Sequence, residues 1–161
     1  MDVKYHVIST LVENKPGVLQ KVAGLFTRRD FNIDSITVGE SEVNGLARMV
    51  ITVKADEKIL EQFINQLNKL VDVVKIKDIS KNAVKRELCL VKVNIPDAKA
   101  RAEIMQYTNI FRAHILDVSE ETLMVEITGD KQKVNAFISL LEGYGIKRIA
   151  RTGLTAMSRG V

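Results

Sequence analysis

At 161 residues the chain has room for one ordinary domain or two small ones, and 46% hydrophobic with 27% charged residues is the profile of a soluble globular protein. No apolar run approaches the ~20 residues that span a bilayer. The start, Met1-Asp2-Val3-Lys4-Tyr5, is not a signal peptide, and the one cysteine, Cys89, excludes an internal disulfide and a multi-cysteine metal site, so a cytoplasmic home is expected.

The formal net charge is +4, from 24 basic and 20 acidic residues, and it is mild. Basic residues are scattered apart from Arg28-Arg29, Lys85-Arg86 and the C-terminal tail, whereas nucleic-acid binders concentrate them on one face.

Residues 5–12 alternate as a strand with Val7 and Leu11 on one face and Ile8 and Val12 on the other, which predicts a central strand. Asn14-Lys15-Pro16-Gly17 follows as a tight turn, with Pro16 expected at the first helical position, where its fixed φ fits and its missing N–H is not needed. An amphipathic helix is predicted over 17–29, its stripe built from Val18, Leu19, Val22, Leu25 and Phe26. Arg28 and Arg29 suit its C-terminal dipole, and Asp30 is expected to end it.

Residues 32–38 read as a second strand and 39–45 as a hairpin loop ending in Asn44-Gly45. In 46–53, Ala47, Met49, Ile51 and Val53 face one way and Arg48 and Thr52 the other, a one-sided strand. Asp56 offers an N-cap to a helix carrying Ile59, Leu60, Phe63, Ile64, Leu67 and Leu70, and 73–79 closes the unit. The order is βαββαβ, the ferredoxin-like pattern, with two helices on one face of an antiparallel sheet and the other face left open.

Residues 80–86 (SKNAVKR) read as a linker, after which the order repeats. A strand over 87–94 is followed by a helix opened by Pro96-Asp97 and running through Ile104, Met105 and Tyr107. Strands 111–118 and 122–128 pair across Ser119-Glu120-Glu121. Asp130 caps a helix with Val134, Phe137, Ile138 and Leu141, and 146–151 is the last strand. The fold class is therefore α+β: two tandem ferredoxin-like βαββαβ domains, at 1–79 and 87–161, the second without the Asn-x-Pro-Gly turn. No element is read in the small, basic tail 153–161.

Catalytic constellations are poor. His6 and His114 lie on strands of different halves, and Cys89 sits within the apolar run Leu88-Cys89-Leu90-Val91, where burial makes a thiol inert. Glu120-Glu121 and Asp34 have no evident partner, and no phosphate loop, zinc spacing or nucleophile elbow occurs. RNA-recognition folds share this element order but stack bases on aromatics of the two central strands. Those strands here offer Tyr5 alone, at an end. No active site, metal or nucleic-acid site is expected.

What survives is a small-ligand module. A helix start presents free N–H groups and a positive dipole end, and Gly17 lets an anion approach the backbone. Asn14 and Asn32 could reach an ammonium or the same carboxylate, and Val18 and Ile33 could flank a branched aliphatic group, the combination found on a free α-amino acid. On spacing alone Asn14 and Asn32 serve equally well as turn residues.

These residues resemble a known family. Glu13-Asn14-Lys15-Pro16-Gly17-Val18-Leu19, Gly24-Leu25-Phe26 and Phe31-Asn32-Ile33-Asp34-Ser35-Ile36-Thr37-Val38 are similar to the ACT domain of acetolactate synthase small subunits. The likeness continues through 67–74, Arg86-Glu87-Leu88, 90–93, Ile110-Phe111-Arg112-Ala113, 115–118 and Ala150-Arg151-Thr152-Gly153, covering essentially the whole chain. It implies a regulatory, non-catalytic subunit that activates a thiamine-diphosphate-dependent large subunit and confers feedback inhibition by a branched-chain amino acid, commonly valine. Thiamine diphosphate, magnesium and FAD would belong to that partner. It further implies a homodimer through paired ACT sheets with the effector at the seam. The effector would meet Asn14, Pro16, Gly17 and Val18 of one copy and Asn32 and Ile33 of the other. Two positions depart from the family: Asp30 stands where Gly is commonest, and Lys15-Pro16 stiffens a more variable turn. The alternative from another class is a free-standing ACT-type regulator of gene expression, which would need a nucleic-acid surface; a chain active as an enzyme by itself is a third.

Overall fold

The computed structural model describes residues 2–27 and 31–160. The chain packs as two units. One holds the residues up to Val84 together with the segment from Leu154, and the other is Lys85–Gly153. The division, between residues 84 and 85, falls within the 80–86 stretch, where the backbone is already extended as a strand from Ala83.

In the first unit, β1 (Lys4–Glu13), α1 (Val18–Thr27), β2 (Ile33–Glu40), β3 (Leu46–Ala55), α2 (Glu57–Asn68) and β4 (Val73–Asp78) form an antiparallel sheet in the order β2-β3-β1-β4. β1 is central, as its two apolar faces predict: Val7 and Ile8 point to opposite sides and both are fully buried. α1 and α2 cover one face. Val18, Val22, Phe26, Leu60, Phe63 and Leu67 pack there onto Ile8, Val12, Met49, Ile51 and Val53. Phe26 stacks on Phe63 at 4.7 Å between centroids, and Phe31 meets both rings edge-on. The helix-end roles expected of Arg28, Arg29 and Asp30 lie outside the described residues.

The opposite face is not open. Leu154 and Ala156 lie on it and, with Val7, Val50 and Ile79, close a second, smaller core. β3 is therefore buried on both faces, Val50 and Thr52 included, rather than one-sided. The tail that carries no sequence signal contains a short strand, β9 (Thr155–Ser158), paired with β5 (Ala83–Asn94), and Arg159 N–H donates to Asn82 O at 2.8 Å. The remainder of this face is a half-open groove of about 540 Å³, lined by Ser9, Leu11, Arg48, the edge-strand lysines Lys75 and Lys77, and Met157 among others.

The second unit repeats the plan with β5, α3 (Ala98–Ile110), β6 (His114–Val118), β7 (Thr122–Gly129), α4 (Lys131–Glu142) and β8 (Ile146–Arg151), in the order β6-β7-β5-β8. Even the irregularities recur. The register slips between Leu11 and Val12 against β4 and between Lys92 and Val93 against β8. It slips again between Ile33 and Ser35 on β2 and between Ile115 and Asp117 on β6. The core is Cys89, Val91, Val93, Ile104, Leu123, Val125, Ile127, Val134, Phe137 and Leu141. Phe111 caps α3 instead of starting a strand, and Arg112 at φ 52° turns the chain into β6. The inward face of α3 is Ala100, Ile104 and Thr108, so Met105 is left exposed.

Each unit thus has its own core. Phe63→Ala should cost about 3–5 kcal/mol within the first. Amide exchange should rise across Leu60 to Leu67, while amides from Val134 to Leu141 keep their protection.

Candidate functional site

The turn after β1 is fastened at three points. Asn14 N–H donates to Gly45 O and Glu13 N–H to Asp72 O, both at 2.9 Å, and Val18 N–H reaches Lys15 O at 3.4 Å. Gly17 has φ +87°, which puts Pro16 and Gly17 at the two central positions of a tight turn before the helix. This is the Pro-Gly signature of a type II turn. Pro16 is therefore outside the helix, not at its first position, and α1 begins at Val18 with Lys21 N–H bonding Gly17 O at 3.0 Å. Asn14, Pro16 and Gly17 are exposed and Val18 is buried under the helix.

The start of α1 differs from the other three helix starts. Asp56, Asp97 and Asp130 each accept a backbone N–H with the side chain, from Ile59, Ala100 and Lys133 at 2.7–2.8 Å. No side chain among the described residues caps α1, and the space where a side chain on Gly17 would lie is empty within 4 Å. The comparison with α3 is direct, because the strand ends before α1 and α3 are anchored alike: Asn94 N–H donates to Gly145 O and Ile95 N–H to Glu121 O. In the second unit a carboxylate of the chain itself sits on the helix start; in the first that position is open. A helix N-terminus without an internal acceptor favours an incoming anion.

Charge around the turn is organised by Asp72. Its side chain is nearly buried, with Lys15 Nζ at 3.0 Å from one oxygen and Lys21 Nζ at 2.7 Å from the other. Lys15 also pairs with Glu13. Donation by Lys21 and then by Lys15 lowers the Asp72 pKa, and the Glu13 carboxylate, followed by Asp72, raises that of Lys15. The four charges cancel, which leaves the backbone N–H groups as the polar feature the turn offers.

Asn32 and Ile33 lie elsewhere. Glu13 pairs with Leu46 and Ile33 with Val53, seven residues further along β3. At ~3.3 Å per residue the two halves of the expected site stand about 23 Å apart, at opposite ends of one sheet. Asn32 is exposed and its carbonyl accepts from Lys54 N–H. One copy of the chain does not bring these residues together.

Elsewhere the chemistry is quiet. His6 is buried with Nε2 at 3.1 Å from Ala55 O, and burial pushes the Cys89 thiol pKa up. Among the described residues no cluster of three or more His, Cys, Asp or Glu is placed to hold a metal, and no helix is long and apolar enough to cross a membrane.

Comparison with known proteins divides the chain at a similar place. A profile described as an AHAS small subunit-like ACT domain matches residues 8–75, and one described as the small subunit of acetolactate synthase matches residues 86–160. The probable acetolactate synthase small subunit of Methanothermobacter thermautotrophicus is 61% identical over 99% of this chain and 96% of its own. The Mycobacterium bovis acetolactate synthase small subunit is 47% identical over 99% and 95%. A crystal structure of the acetolactate synthase small subunit from Thermotoga maritima matches with a TM-score of 0.91 at 52% identity, covering 98% of this chain and 99% of that one. The first unit is an ACT domain carried on a two-unit ferredoxin-like chain. The chain belongs to the acetolactate synthase small subunit family.

A depressed carboxylate pKa stabilises the fold above the ordinary Asp value of 3.8, and that stabilisation is lost as pH falls through the lower folded value. The Asp72→Asn variant should therefore unfold at lower urea than the parent at pH 7, by a gap that holds down to about pH 4 and closes below it. Urea midpoints measured from pH 7 to pH 2 read this directly.

Proposed function

We propose that this chain is the regulatory subunit of a cytoplasmic acetolactate synthase. It activates a thiamine-diphosphate-dependent large subunit and lets a branched-chain amino acid, valine first, inhibit it. The reading takes its partner from the names of its relatives, since a small subunit implies a larger one. Thiamine diphosphate, magnesium and FAD are the large subunit's, where two pyruvates condense to 2-acetolactate.

The observation that carries the effector site is the uncapped start of α1 beside Gly17. A ligand carboxylate there takes the place that Asp97 takes on α3. The other half of the site comes from a second copy. β2 is one edge of the first sheet. Antiparallel pairing of two β2 strands about a two-fold axis sets the start of one beside the end of the other. The end of β2, Glu40, is paired with Ala47, at the same end of the sheet as the Asn14 turn. Asn32 and Ile33 of the second copy then approach Asn14, Pro16, Gly17 and Val18 of the first. The 23 Å separation within one chain becomes a reason for dimerisation rather than an objection to the site.

Inhibition follows from linkage. Effector at the seam favours one arrangement of the paired units, and that arrangement activates the large subunit less.

Gly17→Asp supplies a carboxylate of its own to α1, and the open space around Gly17 accepts it. The variant should keep activation of the large subunit while the half-inhibiting valine concentration rises roughly tenfold or more, equivalent to about 1.4 kcal/mol of lost affinity. Gly17→Asn bears the same backbone cost at φ +87° without the charge and should lose less. Equal valine sensitivity in the Asp variant and the parent would sink the site assignment. Calorimetric titration with valine, leucine and isoleucine identifies the effector.

A further inference from the structure

The polypeptide leaves the first unit within β5 and returns to it after Gly153. The residues on either side of that return are fastened to different strands. Thr152 belongs to the second unit, where its N–H donates to Leu88 O at 3.0 Å and its Oγ1 accepts from Leu88 N–H at 3.1 Å. Leu154 belongs to the first. Its N–H donates to Ser35 Oγ and its carbonyl accepts from Thr37 Oγ1, both at 3.2 Å. The Leu154 side chain is 4% exposed, packed with Val7, Val50, Ile79 and Ala156. Between the two stands Gly153 at φ +82°, a conformation other residues adopt only with strain. Ser35 and Thr37 lie on β2, just beyond Asn32 and Ile33, and Ser35 Oγ is itself held by Thr52 Oγ1 at 2.7 Å.

We propose that Thr152-Gly153-Leu154 is the joint through which the effector seam acts on the second unit, with Leu154 as the positioning residue that reads β2. The inference rests on the effector site proposed above and adds the route by which occupancy leaves it. The bistable element is the segment from Leu154 to Ser158, docked on the hydroxyls of β2 or released from them. An effector that contacts Ile33 and Asn32 shifts β2 relative to that segment and so favours one of the two states. One glycine then separates the moving residue from Thr152, which is locked to Leu88 at the end of β8. So short a connection passes on more of a displacement than a longer flexible one, which would absorb it.

The test uses the full chain reconstituted with its large subunit. Ser35→Ala combined with Thr37→Val removes both hydroxyl anchors and leaves the Leu154 pocket intact. Calorimetry should give a valine affinity within about threefold of the parent, activation should persist, and maximal inhibition by valine should fall by about half or more. Leu154→Ala should show the same split between binding and inhibition, and Leu154→Met, which refills the pocket, should restore inhibition. Amide exchange at residues 154–158 of the parent should change on adding valine, a readout that needs no variant to fold. Undiminished inhibition in the double variant, or a tail whose exchange is indifferent to bound valine, overturns the joint while leaving the effector site standing. A parent chain that binds none of the three branched-chain amino acids overturns the site and the joint with it.

Discussion

Both faces of a central strand have to be covered, and the first unit depends on how that is done. Val7 and Ile8 face opposite ways on β1 and both are fully buried, so two amphipathic helices can satisfy only half of the demand. The rest falls to Leu154 and Ala156, residues far away in sequence. Each is a modest hydrophobe, yet together with Val50 and Ile79 they turn a face that would be wetted into a second core. The consequence reaches beyond packing. The first unit is complete only when the chain has passed through all of the second, so the two are linked at both ends even though each has a core of its own.

Within that frame, duplication explains what is shared and one residue explains what is not. Strand order, register slips and the anchoring of the strand ends recur between the units, the signature of one plan used twice. At the helix start they part. Asp97 closes α3 with its own carboxylate, whereas Gly17 leaves α1 open and lets the backbone turn at positive φ. The same architecture is self-satisfied in one copy and receptive in the other. Asp72 supports the receptive copy by holding Lys15 and Lys21 to itself, so the turn offers directed N–H groups rather than loose cations.

Much of this was legible in the residues. The two-sided apolar pattern of β1, the stripes of α1, α2 and α4, and the Asp caps at 56, 97 and 130 follow from periodicity and local hydrogen bonding, which are sequence-near effects. The tail was not, because the few apolar residues of so short a segment show no clear period, and the meaning of Leu154 and Ala156 depends on a surface far off in the chain. β3 misled for the same reason: Arg48 and Thr52 look like a solvent face until Leu154 and Ala156 are in place. Pro16 misled differently, since Pro-Gly fits either a helix start or a tight turn before one, and only the φ of Gly17 separates the two. The candidate ligand residues could be named from the chain, but their separation along β3 could not, because register is a property of pairing.

The two edges of the first sheet are not equivalent. β4 carries Lys75 and Lys77, side chains that discourage another strand from adding there. β2 has no lysine, and its outward stretch from Ser35 to Val38 is apolar or hydroxyl-bearing. Had both edges been equally accommodating, β2 of one molecule could join β4 of the next, and each addition would expose a fresh edge. Such head-to-tail growth ends in fibres. With one edge spoiled, the pairing proposed above, β2 with β2, is the union left to the sheet; it would close on itself at two and so avoid the polymerisation to which open sheets are prone.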